Sequence, residues 1–194
     1  MREDPRQTRT REALGSALVR LLQVQPLDEL SVAALCREAG VHRTTFYGHA
    51  DGVDTFAVAW FTRDIDDLSA VAPAAESPRD VAGEYLHALR ATLQHVAAQR
   101  TVFRAMFASG SRGALRSALE ERLRSRAALA IDVLDAHGAA GLPSGGRARV
   151  EASAFIAGGL VGVIEAWTQE SDDDADAAGA RVLALMPRWW PLAG

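Results

Sequence analysis

A short segment near the N-terminus concentrates side chains that can donate hydrogen bonds to nucleic acid. Arg43, Thr44, Thr45, Tyr47 and His49 fall within seven residues. Thr, Tyr and His side chains donate hydrogen bonds to phosphate oxygens, and Arg can bind both acceptors of a guanine or hold a phosphate. The surface of a structural helix would more often carry Glu, Lys, Ala and Leu. The segment therefore predicts contact with a duplex, provided that a helix presents these residues outward.

The spacing around Gly40 predicts two short helices joined by a tight turn. Ser31 is placed to cap a helix over Val32 to Ala39, Gly40 ends that helix, and a second one follows from about His42 to His49. Apolar or small residues occupy the positions where such helices would touch, namely Leu35, Cys36, Ala39, Val41 and Phe46. This pattern predicts a helix-turn-helix, and on spacing alone it also fits an ordinary helical hairpin in a bundle.

The rest of the chain has the apolar period of helices, and no stretch alternates for long enough to predict a strand. Pro26 must end a first helix, and Asp51 can cap a fourth one. After a small-residue linker at 69–78 we expect longer helices around 85–96, 101–109, 115–134, 147–169 and 175–190. The predicted fold is all-α, with a three-helix helix-turn-helix domain at 1–66 and a larger helical domain at 67–194.

The charge distribution restricts nucleic-acid contact to the N-terminal region. The formal net charge is −4, but residues 1–50 hold seven Arg against six acidic residues. Four of those arginines lie in the first eleven residues: Arg2, Arg6, Arg9 and Arg11. A protein coated in basic surface is excluded, so any contact with DNA must be local.

Catalysis, metal binding and membrane insertion find little support in the sequence. The single cysteine, Cys36, excludes a disulfide framework and a cysteine-based zinc site. We expect no catalytic residues, no metal site and no cofactor, and the acidic run "SDDDADA" at 171–177 lacks the spacing of a calcium loop. The polar N-terminus and the 13-residue uncharged run at 152–164 predict a soluble, cytoplasmic protein without a membrane span.

The segment "LSVAALCREAGVHRTTFYGHADGVDTF" resembles the signature of the TetR family of bacterial transcription regulators. The residues that match in order are Ser31, Leu35, Ala39, Gly40, Val41, Thr45, Phe46, Tyr47 and His49. "FIAGGLVGVIEAW" at 155–167 is similar to the eighth helix of many members. The resemblance implies a homodimer that binds a palindromic operator on double-stranded DNA, a small-molecule effector, and repression as in most members. The resemblance and the outward-facing residues of the second helix together predict DNA contact at Ser31, His42, Arg43, Thr44, Thr45, Tyr47 and His49.

Two positions depart from the family pattern. Ala50 stands where Phe is usual, and Val53 stands where a Lys usually meets a phosphate, between Asp51 and Asp54. These departures predict weakened operator contact, which the N-terminal arginines would offset if that arm lies along the DNA; a solvated tail is the alternative. They also favour a second interpretation, a helical ligand-binding or protein-interaction module whose helix-turn-helix no longer reads DNA.

The second half of the sequence predicts a dimer interface and an effector pocket. Three glycines interrupt an apolar helix, which indicates that another backbone approaches closely, either in a second subunit or within one subunit. The predicted dimer face comprises Phe155, Gly158, Gly159, Gly162, Val163 and Trp167. The predicted effector pocket comprises Trp60, His87, Arg90, Phe103, Met106, Phe107 and Phe155, although aromatic residues and Met at helical spacing are also typical of an ordinary core.

Overall fold

A computed structural model describes residues 5–68, 77–170 and 174–190, and these residues are helical with no strand. The helices are α1 (Pro5–Leu22), α2 (Val32–Ala39), α3 (Arg43–Phe46), α4 (Val53–Leu68), α5 (Pro78–Ala98), α6 (Arg100–Ala108), α7 (Arg112–Ala136), α8 (Gly146–Gln169) and α9 (Ala175–Leu185), with a 3₁₀ turn at Leu27–Glu29. The all-α prediction is confirmed. The predicted linker lies outside the described residues, except for Ser77 and Pro78, which begin α5.

The chain packs into two compact units, and their limits differ from the predicted division at residue 66. The first unit comprises residues 1–63 and 101–115, and the second comprises 64–100 and 116–194. α6 joins the first unit because its apolar face is buried there, with the Phe103 ring 5.8 Å from that of Phe61. The Gly110 amide also donates to the Asp28 carboxylate at 3.1 and 3.2 Å. The functional boundary at residues 66 and 67 stays a prediction.

Local signals in the sequence set the bounds of α2. The Ser31 hydroxyl accepts a hydrogen bond from the Ala34 amide at 3.1 Å, which satisfies one of the free donors at the helix start. Gly40 ends the helix with a φ of 67°, and the Val41 amide then donates to the Cys36 carbonyl at 2.9 Å. This left-handed turn favours glycine because it has no Cβ. The predicted helix over Val32 to Ala39 is confirmed at both ends.

A row of aromatic side chains holds α3 against α4. The fully buried Phe46 ring lies 5.9 Å from that of Phe56, which stacks on Trp60 at 6.2 Å. The Arg63 guanidinium covers the Trp60 ring at 4.5 Å. Trp60 can lie flat on α1 because residue 15 is a glycine: a Cβ there would be 2.1 Å from its ring. The orientation of α3 is therefore fixed by rigid rings and not by a mobile loop.

The second unit is built from α5, α7, α8 and α9. Leu93 of α5, Leu119 and Ile131 of α7, and Val161 of α8 are fully buried. Arg116 of α7 forms a close ion pair with Glu165 of α8. The last helix was predicted to reach Trp190 and ends at Leu185 instead. Pro187 explains the difference, since proline lacks an amide donor and cannot continue the helix.

Arg100 fastens the C-terminal end of α8 within the second unit. One of its terminal nitrogens donates to the Trp167 carbonyl at 2.6 Å and to the Glu170 carbonyl at 2.9 Å. Its guanidinium lies 4.4 Å from the centre of the Trp167 ring. A cation at this end of a helix is favourable because the last carbonyls have no intrahelical partner.

By length and composition alone, α8 is the one described helix that could cross a membrane, and a third of its most apolar window is buried. A core or interface helix passes the same test. Arg149 in α8 binds Asp132 and Asp135 of α7 at 2.8 and 2.6 Å, which anchors its polar end to a neighbouring helix. These two hydrogen-bonded carboxylates raise the pKa of Arg149.

Candidate functional site

The helix-turn-helix presents a polar surface on α3 and buries one residue of that helix. Arg43, Thr44 and Thr45 are exposed, Phe46 is fully buried, and Tyr47 is 52% exposed. The Tyr47 ring meets the Phe46 ring edge-on at 5.6 Å, which restricts where its hydroxyl can reach. α3 and the residue after it therefore present Arg, Thr and Tyr donors to solvent, and the buried Phe46 holds them in place.

The helical part of α3 is shorter than predicted. It covers four residues, and Tyr47, Gly48 and His49 follow it in turns, with the His49 amide donating to the Phe46 carbonyl at 2.8 Å. Gly48 accounts for the early end, since glycine is about 1 kcal/mol less favourable than alanine inside a helix. The predicted contacts at Tyr47 and His49 thus come from a turn that follows α3.

Two predicted DNA-contact residues lie at helix starts. Ser31 is exposed, and its hydroxyl already caps α2. His42 is exposed at the start of α3 and makes no side-chain capping bond there. Ser31 therefore has a structural role that the resemblance did not imply, and its hydroxyl hydrogen stays available for a phosphate because it accepts the capping bond.

His49 is half-buried beside positive charge. Burial and the charge of Arg11 both lower the pKa of His49 below its usual 6.5, so its imidazole is mostly neutral at pH 7. Arg6, Arg9 and Arg11 lie in α1, which begins at Pro5, so this part of the arginine arm is a helix and not a disordered tail. Arg2 lies outside the described residues.

The buried side of the motif holds Cys36 and Val53. Cys36 is 3% exposed, and burial raises its pKa, partly offset by the charge of Arg43. Val53 is 7% exposed at the first residue of α4, with Asp54 exposed beside it. The side chain at position 53 therefore packs into the first unit, in place of the lysine that the family pattern would direct to a phosphate.

Comparison with solved structures identifies this architecture. The regulator AlkX from Dietzia sp. strain DQ12-45-1b, named as a TetR family repressor, matches at a TM-score of 0.53, with 17% identity and 100% of both chains covered. The fatty acid degradation regulator FadR from Bacillus halodurans matches at 0.65, with 13% identity over 90% of this chain and 96% of its own. The chain has the TetR fold. The dihydroxyacetone kinase operon activator DhaS also matches, at 0.62 with 13% identity over 91% of this chain and 93% of its own.

Sequence comparison alone does not detect this structural similarity. No protein-family sequence model matches the chain, and no curated protein sequence does. At 13–17% identity the three structures share only their fold with this chain, and the contacts made by individual residues must be judged from this chain itself.

Among the described residues, α8 and α9 present an apolar outer face that no other part of their unit covers. Phe155 and Leu185 are 69% and 68% exposed, and a Cβ built on Gly158, Gly159 or Gly162 would meet no atom within 4 Å. Close packing within the subunit therefore does not account for the glycines. A groove of about 230 Å³, here named the outer groove, runs along this face. Its lining residues are Phe155, Ile156, Gly159, Leu160, Val163, Val182, Leu185, Met186 and Pro187.

Trp167 does not belong to that face. It is 3% exposed and lies under the Arg100 guanidinium inside the second unit, so it has almost no surface to offer a partner. Val163 is half-buried beside the glycines and lines the outer groove, as the predicted interface requires. The interface prediction therefore loses Trp167 and keeps its other five residues as an untested proposal.

The residues predicted for the effector pocket have other surroundings. Phe103, Met106 and Phe107 are buried in the core of the first unit, where Trp60 lies against α1. In the second unit His87 is exposed, Arg90 pairs with Asp176 at 3.4 Å, and Phe155 lies on the outer face. The periodicity of apolar residues located buried stripes correctly and gave no information on which helices cover them.

The second unit contains an apolar pocket that the sequence did not reveal. Its volume is about 80 Å³, and α5, α7, α8, α9 and the chain after α9 surround it. The lining residues are Tyr85, Leu86, Ala88, Leu89, Leu123, Arg126, Ala127, Ile156, Leu160, Leu183, Met186 and Trp190. We name this cavity the inner pocket. Trp190 lines this cavity, and the two adjacent tryptophans after Pro187 are a sequence signal for apolar packing in this region.

Polar atoms in the inner pocket are few and fixed. The Tyr85 hydroxyl donates to the Arg126 carbonyl at 3.3 Å, and its ring meets that of Trp190 edge-on at 5.4 Å. Burial raises the pKa of Tyr85 to about 12, so the hydroxyl keeps its proton at neutral pH. No group of three or more His, Cys, Asp or Glu with metal-binding geometry occurs in the part of the chain that the structure describes.

Proposed function

We propose that this protein is a homodimeric, ligand-responsive transcription regulator that binds a palindromic operator. The observation that carries the proposal is the helix-turn-helix, where Gly40 sets the turn, buried Phe46 fixes α3, and Arg43, Thr45 and Tyr47 face solvent. α3 would enter the major groove, with Arg43 and the threonines near base edges and Ser31, His42, Tyr47 and His49 near phosphates. Structures with the same fold are named as transcription regulators, which supports this function.

The outer groove supports the dimeric part of the proposal. Two copies related by a two-fold axis would bury Phe155 and Leu185 and bring the glycines of α8 against the partner helix. Such a dimer is required geometrically, because the two halves of a palindrome lie about 34 Å apart, one helical turn of DNA. We therefore assign the face formed by Phe155, Gly158, Gly159, Gly162 and Val163 to the dimer interface.

The inner pocket is the proposed effector site. Its wall is mostly aliphatic and aromatic, with Tyr85 and Arg126 as its polar residues, so the ligand is a small, mainly apolar molecule whose polar group would lie near these two side chains. AlkX is described as implicated in the biodegradation of n-alkanes, and FadR as a regulator of fatty acid degradation, so apolar small molecules are compatible with this fold. This proposal therefore assigns the effector site to the residues that line the inner pocket, and not to the effector-pocket residues predicted from the sequence.

We further infer a cytoplasmic protein that acts by binding and not by catalysis, because its structural neighbours are named as regulators. Repression is the expected sign of regulation. AlkX is named as a repressor, whereas DhaS is named as an activator, so the sign must be measured on the target promoter.

A second function is favoured by the charges beside the motif. Val53 is buried where a phosphate-binding lysine is expected, and Asp51 and Asp54 are exposed at the start of α4. Carboxylates there would repel a phosphate backbone. If they prevent binding, the protein is a helical ligand-binding or protein-interaction module that keeps the fold and no longer reads DNA.

Fluorescence anisotropy with duplexes from the DNA that flanks the gene, against scrambled duplexes over a salt series, separates the two functions. The regulator requires saturable preference for one duplex, with two subunits per site. Arg43→Ala should cost roughly 1–3 kcal/mol on that duplex if the residue reads a base, or flatten the log–log salt slope by about one if it holds a phosphate. Arg147→Ala, at an exposed position near the start of α8, is the matched control. Equal, weak binding to all duplexes, with no preference restored by added ligand or a wider search of DNA, would remove the operator-reading function and favour the second one.

A further inference from the structure

Arg126 is shared by two cavities of the second unit. It lines the inner pocket, and it also lines a hollow of about 290 Å³ beside α7. We name this second cavity the α7 hollow. Its lining residues are Glu121, Arg122, Ser125, Arg126 and Leu129. The mostly apolar inner pocket and the more polar α7 hollow therefore meet at one arginine.

The arrangement of residues around α7 explains why Arg126 is the shared one. Successive residues of an α-helix are turned by about 100° about its axis. On this projection Leu123 and Ala127, which line the inner pocket, lie on one side of Arg126. Arg122 and Leu129, which line the α7 hollow, lie on its other side. Arg126 thus stands at the border between the two cavities.

This border carries positive charge. Residues 121–126 contain three arginines and one glutamate. The carboxylate of that glutamate, Glu121, already binds Arg124 at 3.0 Å. None of the described residues that line the inner pocket is acidic. An anion at the border would therefore be attracted and a cation repelled.

The charge of Arg126 acts inside the inner pocket as well as at its edge. Burial raises the pKa of Tyr85 to about 12, and the positive charge of Arg126 partly offsets that rise. Arg126 is half-buried, so water and salt screen its charge less than they would on an open surface. A ligand in the inner pocket can therefore place a negative group within the field of this guanidinium.

The polar groups at the border favour a ligand that accepts hydrogen bonds. The Tyr85 hydroxyl already donates its proton to the Arg126 carbonyl at 3.3 Å. A guanidinium has five N–H donors and no acceptor, and several of these donors can be used at once. A carboxylate suits such a group, because it can accept two parallel hydrogen bonds that are each about twice as strong as those between neutral groups.

We propose that the effector is an amphiphile with a carboxylate head group, which binds Arg126 at the border while the apolar tail occupies the inner pocket. The inference rests on the proposed effector site and adds the chemical class of its ligand. A carboxylate should bind roughly 10- to 100-fold more tightly than the alcohol with the same tail. Each added methylene should improve the affinity about fourfold until the tail fills the inner pocket.

The test compares three head groups on one tail, using the full chain at neutral pH. The probes are hexanoate, 1-hexanol and hexylammonium, which are anionic, neutral and cationic. Binding is followed by tryptophan fluorescence, because Trp190 lines the inner pocket. We expect hexanoate to bind most tightly and hexylammonium most weakly. Octanoate and 1-octanol repeat the comparison with a longer tail.

Two matched variants show whether the preference depends on Arg126. Arg126→Gln should reduce the affinity for hexanoate to that for 1-hexanol, which should itself change little. The hydrogen bond from Tyr85 is made to the backbone carbonyl, so the substitution retains it. Arg124→Gln makes the same charge change on α7 at an exposed residue that lines neither cavity, and it should keep the preference. Arg126→Met replaces the first variant if that one does not fold, as judged by circular dichroism.

The outcomes separate this inference from the proposed function. Equal affinity for hexanoate and 1-hexanol in the original protein overturns the carboxylate head group and leaves the apolar effector site intact. A preference that persists in the folded Arg126 variant, or that is lost equally in Arg124→Gln, overturns the contact with Arg126. Failure of every probe to bind removes the effector site and this inference together, while the anisotropy experiment still decides whether the helix-turn-helix binds DNA.

Discussion

Replacing Gly159 with alanine should change two properties in opposite directions. Gly159 lies inside α8, and a Cβ at this position would meet no atom within 4 Å in the subunit. Alanine is about 1 kcal/mol more favourable than glycine inside a helix. We therefore expect the monomer to be more stable, with a thermal midpoint raised by roughly 2–4 °C for a chain of this length.

The same methyl group should weaken the dimer. In the proposed interface the α8 backbones of two subunits approach at the glycines, so each dimer would receive two added methyl groups. Overpacking of a close contact costs about 1–3 kcal/mol. At the lower end, two copies cost about 2 kcal/mol, which raises the dimer dissociation constant roughly 30-fold.

The dimer dissociation constant is measured by sedimentation velocity over a concentration series. The stability of the monomer is measured by thermal unfolding at protein concentrations below that constant. Gly83→Ala is the matched control, since Gly83 lies inside α5 and its added Cβ would also meet no atom within 4 Å. The control should gain stability and keep the dimer constant of the original protein. If Gly159→Ala behaves like Gly83→Ala in both assays, this part of α8 is not a close-approach surface and the interface assignment is wrong.

Three further outcomes are expected. Ser31→Ala should lower the stability of the first unit by about 1 kcal/mol through loss of the cap on α2, whereas Ser31→Thr should retain most of it; urea unfolding measures both. If His49 contacts a phosphate as proposed, the phosphate raises the lowered pKa of His49 and binding takes up a proton. Operator affinity should then rise as the pH falls from 8 to 6, by at most about tenfold per pH unit per subunit, and anisotropy should show that His49→Gln removes this dependence. Arg100→Met should lower stability by about 2 kcal/mol by freeing the carbonyls of Trp167 and Glu170, and Arg100→Lys should recover part of the loss in the same unfolding assay.

Local sequence signals predicted the bounds of α2 better than the sequence pattern predicted the packing between helices. The bounds of α2 follow from Ser31 and Gly40, because a capping hydroxyl and a left-handed turn act within a few residues. Signals of this kind are short in range and can be read directly. The predicted end of α9 at Trp190 is wrong, although the signal for the true end is equally local. Pro187 cannot continue a helix, and α9 ends at Leu185.

The inner pocket could not be predicted from the sequence, because it is formed by contacts between residues that lie far apart in the chain. Phe103 and Met106 have the spacing of a buried stripe, and that spacing is the same whichever unit α6 joins. Tyr85 and Trp190 are separated by about half the chain, and the cavity between them exists only because the turn after α9 returns to α5. Periodicity indicates that a side chain is buried and does not identify its neighbours.

Cys36, the chain's single cysteine, has a practical consequence for experiments in solution. It is almost fully buried and its pKa is raised, so little thiolate is present at neutral pH and thiol reagents will attack it slowly. A cysteine introduced at exposed Thr44 would then be the principal site for a nitroxide label. Pulsed electron paramagnetic resonance on the labelled protein would test for the proposed dimer and report the spacing of its two α3 helices, for comparison with the roughly 34 Å repeat of DNA.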